Sequence, residues 1–460
     1  MRRAAALLAA AGVALLGCAG TPARAAHPPV GHVFVVLLEN KSYSETFGAG
    51  SKARYLTGTL RRSGQLLSQY HAIGHLSLPN YLALISGQAP NPQTQADCQR
   101  FTSFVGAPAL DADGQAVGQG CVYPARVKTI ADQLSAKGLS WKGYMEDMGS
   151  ACRHPAVNSA DDTQQAERGD QYATRHNPFV YFHSIIDSPA CARDDVPLAR
   201  LPGDLGQVDS TANLSLIVPN LCDDGHDAPC VDGRAGGLTS ADAWLAEWIP
   251  KILGSPAFGR DGMLVVTFDE AEASGGGGDS SACCGERPGP NSPSPGGPVP
   301  GPGGGRVGAV VVSPFVEPGS VNSTPYNHYS LLRTLEDLFG LGHLGFAGQA
   351  GLRPFGADVF ARATAPRPVA PGSPGACAGA ALLRAGARPR GRGLALSAAA
   401  RGGASVSVSV RLAARGRRVL RQRTVRRFRT GRAPAVWRPR QLADGRYVVR
   451  FAAAARAGSG

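Results

Sequence analysis

The chain has 460 residues, of which 43% are hydrophobic and 18% are charged, and its formal net charge is +13. This composition excludes a chain that is disordered throughout, because it supplies enough apolar side chains for at least one sizeable core. The length predicts two or three domains, or one large α/β domain with an appendage.

The positive charge is concentrated near the C-terminus. Residues 376–460 contain 20 Arg and a single acidic residue, which gives this segment a charge of +19. Residues 26–375 contain 24 basic and 33 acidic residues, which gives a charge of −9. We therefore predict an acidic body with a basic tail, and we expect the body to have no general affinity for nucleic acid.

Residues 1–25 have the features of a signal peptide. Two arginines precede a 14-residue apolar stretch, and positions 23–25 have the A-x-A form of a cleavage site. The apolar stretch is shorter than the roughly 20 residues that a membrane-spanning helix needs. A lipoprotein signal ending at Cys18 is the alternative, so we expect a secreted or cell-surface protein.

The cysteine pattern also favours export. Eight cysteines lie between positions 98 and 284, and an even set in an exported chain predicts disulfides. A zinc site is the competing interpretation, but the chain contains no CxxC pair. Cys283 and Cys284 either bond to each other or pair elsewhere. Proximity favours three further bonds: Cys98–Cys121, Cys152–Cys191 and Cys222–Cys230.

In chain order, four short apolar runs rich in β-branched residues predict strands buried on both faces. These runs occupy residues 32–38, 214–218, 263–268 and 307–312. Helical patterns lie between and after them, at residues 80–85, 129–137, 241–253 and 329–339. Strands that alternate with helices predict an α/β fold, in which a parallel sheet is flanked by helices.

The body, which we place at residues 26–363, contains one low-complexity insert. Residues 274–305 include 12 Gly and 7 Pro among 32 residues, so we expect a long surface loop without helix or strand.

The Arg-rich end has a different pattern. Residues 364–380 are rich in Pro, Gly and Ala, which predicts a linker. Within residues 381–460, apolar and polar residues alternate at 406–412 and again at 447–451. This period of two predicts a small antiparallel β-domain that resembles a sandwich.

Oxygen-bearing side chains follow two of the predicted strands. Glu39 and Asn40 come after the first strand, and Asp269 and Glu270 come after the third, with Glu272 just beyond. Sites in open parallel sheets form at the carboxyl ends of the strands, and three or more such oxygens suit a divalent cation. The alternative is that these residues cap helices or pair with arginine.

Residues 74–80, with the sequence GHLSLPN, precede an apolar helical pattern. Pro79 suits the first turn of a helix, and Ser77 lies just outside that turn. Ser77 is most simply an N-cap. The functional alternative is a nucleophile, because a helix N-terminus attracts an anion and a neighbouring divalent cation lowers the pKa of a hydroxyl.

Two histidines lie in polar segments. His226 follows the second predicted strand and is flanked by Asp223, Asp224 and Asp227. A histidine in this setting can bind a metal or protonate a leaving oxygen. His328 lies in the segment YNHY, and a lone histidine is more often structural than catalytic.

Six segments occur in a fixed order between about residues 30 and 345. They are HVFVVLLENKSYSETFG, GHLSLPNYLALISG, SWKGYMEDM, IVPNLCDDGHD, VVTFDEAE and YNHYSLLRTLEDLFGL. Together they resemble the bacterial phosphoesterase family that groups secreted acid phosphatases with phosphatidylcholine-type phospholipases C. The resemblance implies the alkaline-phosphatase-like α/β fold and a divalent metal ion as cofactor.

The resemblance also implies a role for each matching residue. The metal ligands would be Glu39, Asn40, Asp269 and Glu270, together with the nucleophile Ser77. Asn80 would help form the phosphate pocket, and the histidines around the phosphate would be His75, His226 and His328.

We therefore expect metal-assisted hydrolysis of a phosphoester through a phosphoseryl intermediate, with His226 as the proton donor to the leaving group. Acid phosphatase is favoured over phospholipase C, because the aromatic residues near the motifs are too scattered for a choline cage. A different class remains open, namely a cell-surface protein that binds an anionic polymer through its basic C-terminal domain.

Overall fold

The computed structural model describes residues 27–272, 278–297 and 299–362, together with the backbone of six strands between residues 382 and 454. The chain divides into two compact units at residue 365. The predicted signal peptide, the lipoprotein site at Cys18 and the predicted linker at residues 364–380 lie outside the described residues. The boundaries that we drew at residues 363 and 381 stay predictions.

An eight-stranded sheet forms the centre of the first unit. The described strands of this unit are β1 (His32–Leu38), β2 (Gln65–Leu67), β3 (Tyr70–His71), β4 (Val105–Leu110), β5 (Ala116–Gln119), β6 (Trp141–Met145), β7 (Asp195–Pro197), β8 (Leu214–Val218), β9 (Gly262–Phe268), β10 (Ala309–Val312), β11 (Val321–Asn322) and β12 (Tyr326–Asn327). The order in the sheet is β11-β2-β10-β9-β1-β8-β6-β7, while β3 pairs with β12 and β4 pairs with β5.

All four apolar runs form strands of this sheet, and the predicted α/β fold is confirmed. The pairs around β1 are parallel, and residues His32 to Leu38 align with Gly262 to Phe268 of β9. The run at residues 307–312 differs from the prediction, because β10 is antiparallel to both β9 and β2. A parallel return needs a crossover connection, usually a helix, whereas the described part of the insert before β10 contains no helix or strand.

Helices flank the sheet. They are α1 (Tyr43–Phe47), α2 (Arg61–Ser63), α3 (Ser77–Ser86), α4 (Ile130–Ala136), α5 (His183–Ile186), α6 (Ala190–Asp194), α7 (Leu201–Asp204), α8 (Gly237–Leu253), α9 (Pro256–Asp261) and α10 (His328–Phe339). The four predicted helical patterns correspond to α3, α4, α8 and α10. Helices α3, α4 and α10 contact one another, whereas α8 and α9 form a separate pair. Within the described residues, no helix has both the length and the apolar character needed to cross a bilayer.

Burial explains why the central strands are apolar throughout. Every residue of β1, β8 and β9 is buried, so neither face of these strands can carry exposed polar side chains. The polar residues therefore begin where the strands end. This arrangement places the predicted ligands Glu39, Asn40, Asp269 and Glu270 at the carboxyl edge of the sheet.

The glycine-rich insert is more than a surface loop. Its described part has no helix or strand, as predicted, but the turn at Gly303 to Gly305 is buried. The carbonyl oxygen of Gly304 accepts a hydrogen bond from the Ala271 amide at 2.8 Å, and that of Gly305 accepts one from the Ala72 amide at 2.9 Å. The insert therefore packs against the segments that follow β9 and β3.

The disulfide prediction is confirmed for the three favoured pairs, and Cys283 and Cys284 are bonded to each other. The four bonds are Cys98–Cys121, Cys152–Cys191, Cys222–Cys230 and Cys283–Cys284.

The second unit contains six described strands, β13 (Leu382–Arg390), β14 (Gly393–Ala400), β15 (Ser405–Ala414), β16 (Gln422–Arg429), β17 (Val436–Trp437) and β18 (Arg446–Ala454). They form two three-stranded sheets, with the orders β13-β14-β17 and β16-β15-β18. All of these pairs are antiparallel. The two alternating segments of the sequence lie in β15 and β18, which are neighbours.

Candidate active site

The ends of β1 and β9 lie side by side and carry the predicted oxygen ligands. The backbone amide of Asn40 donates to Asp269 Oδ1 at 3.0 Å, and the amide of Asp269 donates to the carbonyl oxygen of Leu38 at 2.8 Å. Asn40 has φ = 50°, a left-handed conformation that asparagine adopts more readily than most residues. The chain therefore turns directly after Glu39, and the two strand ends are tied together.

Helix α3 brings the predicted nucleophile to this edge. Ser77 is the first residue of the helix, and its hydroxyl donates to Glu39 Oε2 at 2.7 Å. Tyr81, one turn further along the helix, donates its hydroxyl to Glu39 Oε1. Both oxygens of this carboxylate are thus held by α3. The N-cap position is Leu76, so Ser77 lies inside the first turn and is not the N-cap that the sequence suggested, and its hydroxyl is directed at Glu39.

The site concentrates buried negative charge. Glu39, Asp224, Asp269 and Glu270 are at most 1% exposed. Burial raises the pKa of all four carboxyls well above the usual range, and nearby carboxylates raise these pKa values further. Ionised carboxylates in such a cluster require a compensating positive charge.

Several buried polar atoms at this edge have no hydrogen-bond partner among the described residues. They are Asn40 Oδ1, Asp269 Oδ2, Asp224 Oδ2 and His176 Nε2. Buried polar atoms without partners are rare in folded proteins and call for an explanation such as a bound ion. Oxygen and imidazole donors in this number suit a divalent cation. These four residues, of which Asn40 and Asp269 were predicted as ligands, could therefore hold a divalent cation.

His176 was not found from the sequence. Its Nδ1 lies 3.3 Å from Asp224 Oδ2, and its Nε2 lies 3.3 Å from Glu39 Oε2 without the geometry of a hydrogen bond. Its ring stacks on Tyr81 with a centroid distance of 5.3 Å. Glu39, His176 and Asp224 each offer a ligand atom, and these atoms lie within 4.8 Å of one another. His176 lies in a short 3₁₀ turn, so no strand end marks it in the sequence.

His226 stands at the outer side of this group. Its ring centroid lies 6.2 Å from that of His176, and its Nδ1 lies 2.7 Å from Asp227 Oδ1. The side chain is 33% exposed and lines a cavity of about 440 Å³ together with Arg175 and Gln164. His226 is therefore accessible from solvent, as a proton donor to a leaving group must be.

His75 has a different environment from the one expected. Its Nδ1 contacts Glu270 Oε2, and its Nε2 lies 3.1 Å from the carbonyl oxygen of Asp279. The side chain is fully buried, and burial lowers the pKa of the imidazole. Because protein atoms engage both ring nitrogens, we revise the expected phosphate contact: His75 orients the Glu270 carboxylate.

His328 is revised for the same reason. Its Nε2 lies 2.6 Å from the carbonyl oxygen of Asp269, and its Nδ1 lies 3.1 Å from the Tyr70 hydroxyl. Burial lowers the pKa of His328 to about 4, so the ring is neutral at physiological pH. His328 fixes the backbone at the end of β9 and leaves no ring nitrogen for a phosphate.

Asn80, which was expected in a phosphate pocket, instead braces the loop before Ser77. Its Oδ1 accepts from the amides of Ile73 and Gly74 at 2.8 and 3.1 Å. Its Nδ2 donates to the carbonyl oxygens of Gly74 and Leu76 at 2.8 and 3.0 Å. The amide group is fully used by backbone partners. Asn80 therefore fixes the approach to Ser77, which corrects the prediction.

Comparison with known proteins identifies relatives of this chain. The model of the Phosphoesterase family matches residues 57–342. The "Probable acid phosphatase" of Kluyveromyces lactis is 25% identical over 312 residues, which are 68% of this chain and 59% of that protein. The phosphate-repressible acid phosphatase of Penicillium chrysogenum is 27% identical over 289 residues, which are 62% of this chain and 54% of that protein. The chain thus spans a little over half the length of these fungal relatives.

A bacterial relative is covered more fully. The phosphatidylinositol-3-phosphatase of Mycobacterium tuberculosis is 25% identical over 328 residues, which are 71% of this chain and 83% of that protein. A solved structure of a protein in the alkaline phosphatase superfamily from Vibrio parahaemolyticus is also similar, with a TM-score of 0.41 and 12% sequence identity. The match covers 81% of this chain and 78% of the Vibrio chain. That likeness is too loose to bear on function.

Proposed function

The chain belongs to the phosphoesterase family, and on that premise we propose that it hydrolyses phosphoesters through a phosphoseryl intermediate at Ser77. One observation carries the proposal: the hydroxyl of Ser77, at the first residue of α3, donates to Glu39 Oε2 at 2.7 Å within a buried acidic group. The relatives named as acid phosphatases support the reaction class.

The chemistry is assigned to three side chains, those of Ser77, Glu39 and His226. Ser77 Oγ forms a bond to phosphorus in line with the ester oxygen, whose bond to phosphorus breaks. Glu39 Oε2 already accepts a hydrogen bond from the Ser77 hydroxyl and takes its proton as the bond to phosphorus forms. His226, held through Nδ1 by Asp227, gives a proton from Nε2 to the departing alkoxide. Water then attacks the phosphoserine and His226 takes its proton, while the bond between Ser77 Oγ and phosphorus breaks, Glu39 returns the proton to Ser77 Oγ, and phosphate is released.

We assign a divalent cation to the acidic edge of the sheet. Such an ion polarises phosphoryl oxygens and neutralises carboxylates. The buried atoms without partners support this assignment, and they extend the predicted ligand set by two residues. The residues that would hold cations are Glu39, Asn40, Ser77, Asp269 and Glu270, as predicted, with His176 and Asp224 in addition.

For the substrate we favour a phosphomonoester over a phospholipid diester. The relatives are named as acid phosphatases or as a phosphatidylinositol-3-phosphatase, which are monoesterase names. Export is part of the proposal, since four disulfides are typical of an exported protein. The interpretation as an inactive surface binder is disfavoured by the intact set of candidate ligands. An anionic polymer as partner of the C-terminal domain stays a prediction.

The test replaces the nucleophile and a matched serine of the same helix. Ser77→Ala should abolish turnover of p-nitrophenyl phosphate while the metal content and melting temperature stay near those of the parent protein. Ser86→Ala removes a buried hydroxyl that donates to the carbonyl oxygen of Leu82 at 2.6 Å and accepts from the Gln88 amide at 3.3 Å, and it should keep activity because neither partner is a site residue. Activity within tenfold of the parent in Ser77→Ala would exclude Ser77 as the nucleophile.

A further inference from the structure

Asp97 and Arg175 form a buried ion pair beside the nucleophile, and the proposed chemistry uses neither of them. The side chain of Arg175 is 4% exposed, and its Nε lies 3.7 Å from Asp97 Oδ2. Asp97 Oδ1 accepts a hydrogen bond from the amide of Leu78 at 3.0 Å. Leu78 directly follows Ser77. The ion pair is therefore anchored to the N-terminus of α3, next to the reacting hydroxyl.

The guanidinium is held on one side only. Its Nη1 donates to the carbonyl oxygen of Gln164 at 2.9 Å, while Nε faces Asp97. Within the described residues, Nη2 makes no hydrogen bond. Arg175 also lines the cavity of about 440 Å³ that His226 borders. A buried guanidinium that lines a cavity and keeps N–H groups without partners is suited to bind an anion there.

The positive charge of Arg175 acts on the carboxylates near Ser77. Arg175 lowers the pKa of the Glu39 carboxyl and of the Asp224 carboxyl, although burial outweighs this effect in both. The guanidinium thus lies within electrostatic range of the acidic group that holds Ser77. Arg175 therefore lines the open cavity and, through Asp97, is linked to the first turn of α3, which carries Ser77.

We propose that Arg175 binds the phosphoryl group of the substrate and that Asp97 is the positioning residue for its guanidinium. This inference rests on the proposed function and refines its substrate class. A phosphomonoester carries close to two negative charges above about pH 7, whereas a diester carries one. A fixed guanidinium therefore favours the monoester, which also offers one more terminal oxygen for a bidentate contact.

A purely structural role makes different predictions. In that case Arg175 only neutralises the buried carboxylate of Asp97, and its replacement lowers stability without changing the preference between substrates. The two roles are distinguished by two quantities. One is the ratio of kcat/KM for a phosphomonoester to kcat/KM for a diester, and the other is the inhibition constant of inorganic phosphate.

The experiment uses the full chain at pH 7.5 with p-nitrophenyl phosphate and bis(p-nitrophenyl) phosphate. We expect Arg175→Met to lower kcat/KM for the monoester by about 100-fold and for the diester by less than about tenfold, and to raise the inhibition constant of phosphate by a similar factor of about 100. Arg153→Met is the control, because Arg153 forms a bidentate pair with Asp170 and does not line the cavity. It should leave all three values unchanged.

Asp97→Asn tests the positioning role. Asparagine keeps an oxygen that can accept from the Leu78 amide but removes the charge that faces Arg175. We expect a loss of about tenfold for the monoester, and little further loss when Asp97→Asn is added to Arg175→Met. Fully additive losses would remove Asp97 from this role.

Two results would overturn the inference: equal losses for both substrates, or an unchanged inhibition constant for phosphate. If Arg175→Met does not fold, Arg175→Lys carries the test, because lysine keeps the charge beside Asp97 and loses the planar fork. It should then raise the inhibition constant of phosphate at an unchanged melting temperature. Failure of the proposed function is distinguishable, since it would appear as full activity in Ser77→Ala.

Discussion

The hydroxyl of Ser77 donates to Glu39 Oε2 at 2.7 Å, although the two residues are 38 positions apart in the sequence. This contact joins the first residue of α3 to the residue that follows β1. The same carboxylate accepts the Tyr81 hydroxyl on its other oxygen. A single side chain therefore sets the position of Ser77, the proposed nucleophile, relative to the sheet edge.

Replacement of His226 should depend on the leaving group. Without a proton donor, an alkoxide leaves poorly, whereas p-nitrophenolate leaves readily without help. We expect His226→Ala to lower kcat/KM, which covers the steps up to loss of the leaving group, by about 100-fold for glycerol 2-phosphate and by less than about tenfold for p-nitrophenyl phosphate. Equal losses for both substrates would contradict the role of His226 as a general acid. His183→Ala, which removes an imidazole paired with Asp187, is the control.

Replacement of His176 should change the metal content of the protein. Its Nε2 is buried without a partner and lies 3.3 Å from Glu39 Oε2. If this atom is a ligand, His176→Ala should bind less metal at a given free concentration, by about 10-fold to 100-fold in affinity. Elemental analysis after dialysis against graded metal buffers measures this. An unchanged titration would show that His176 is not a ligand.

Removal of the metal should destabilise the protein as a whole. The acidic edge then keeps four buried carboxyls without a compensating cation. We expect chelator treatment to abolish turnover and to lower the melting temperature, because a ligand that binds only the folded state stabilises it. Addition of Mg²⁺, Ca²⁺, Mn²⁺ or Zn²⁺ one at a time should restore both properties for the native ion. Full activity after exhaustive chelation would contradict the metal assignment.

Glu336 gives a prediction on pH. Burial raises the pKa of this carboxyl to about 9, and its Oε2 has no partner among the described residues. The folded form therefore binds a proton that the unfolded form has lost above about pH 4.5, so stability falls as the pH rises from about 4.5 to 9. Glu336→Gln should remove a slope of up to about 1.4 kcal/mol per pH unit. Denaturant unfolding at pH 6 and pH 8 measures the slope. The exposed Glu247→Gln should leave it unchanged.

The strand ends could be predicted from the sequence because burial leaves a local trace. A strand covered on both faces has to be apolar along its whole length, so the first polar residues after it mark the sheet edge. Glu39 and Asp269 were found in this way. Ser77 was found from a different local signal, since Pro79 suits the first turn of a helix and so marks where that helix starts. The position of Tyr81 beside Ser77 could also have been predicted, because a residue four positions further along a helix lies on the same face.

Other features had no such trace. His176 lies in a 3₁₀ turn, and Arg175 precedes it in a segment without a repeating pattern. The reversed direction of β10 depends on the path of the insert before it, and that path is set by contacts with distant segments. His75 and His328 were expected near the site and do lie there. Their partners, however, decide what they do, and those partners come from elsewhere in the chain.

The sequence alone thus determined the α/β fold, the acidic body with its Arg-rich end, the three favoured disulfides and the sheet edge at which the candidate site residues lie. These features follow from local patterns of burial, charge and spacing. Only the tertiary structure decided which side chains keep atoms free for an ion or a substrate. Whether a polar atom lacks a hydrogen-bond partner depends on its neighbours in space, and in this protein the neighbours of each site residue come from segments far apart in the sequence.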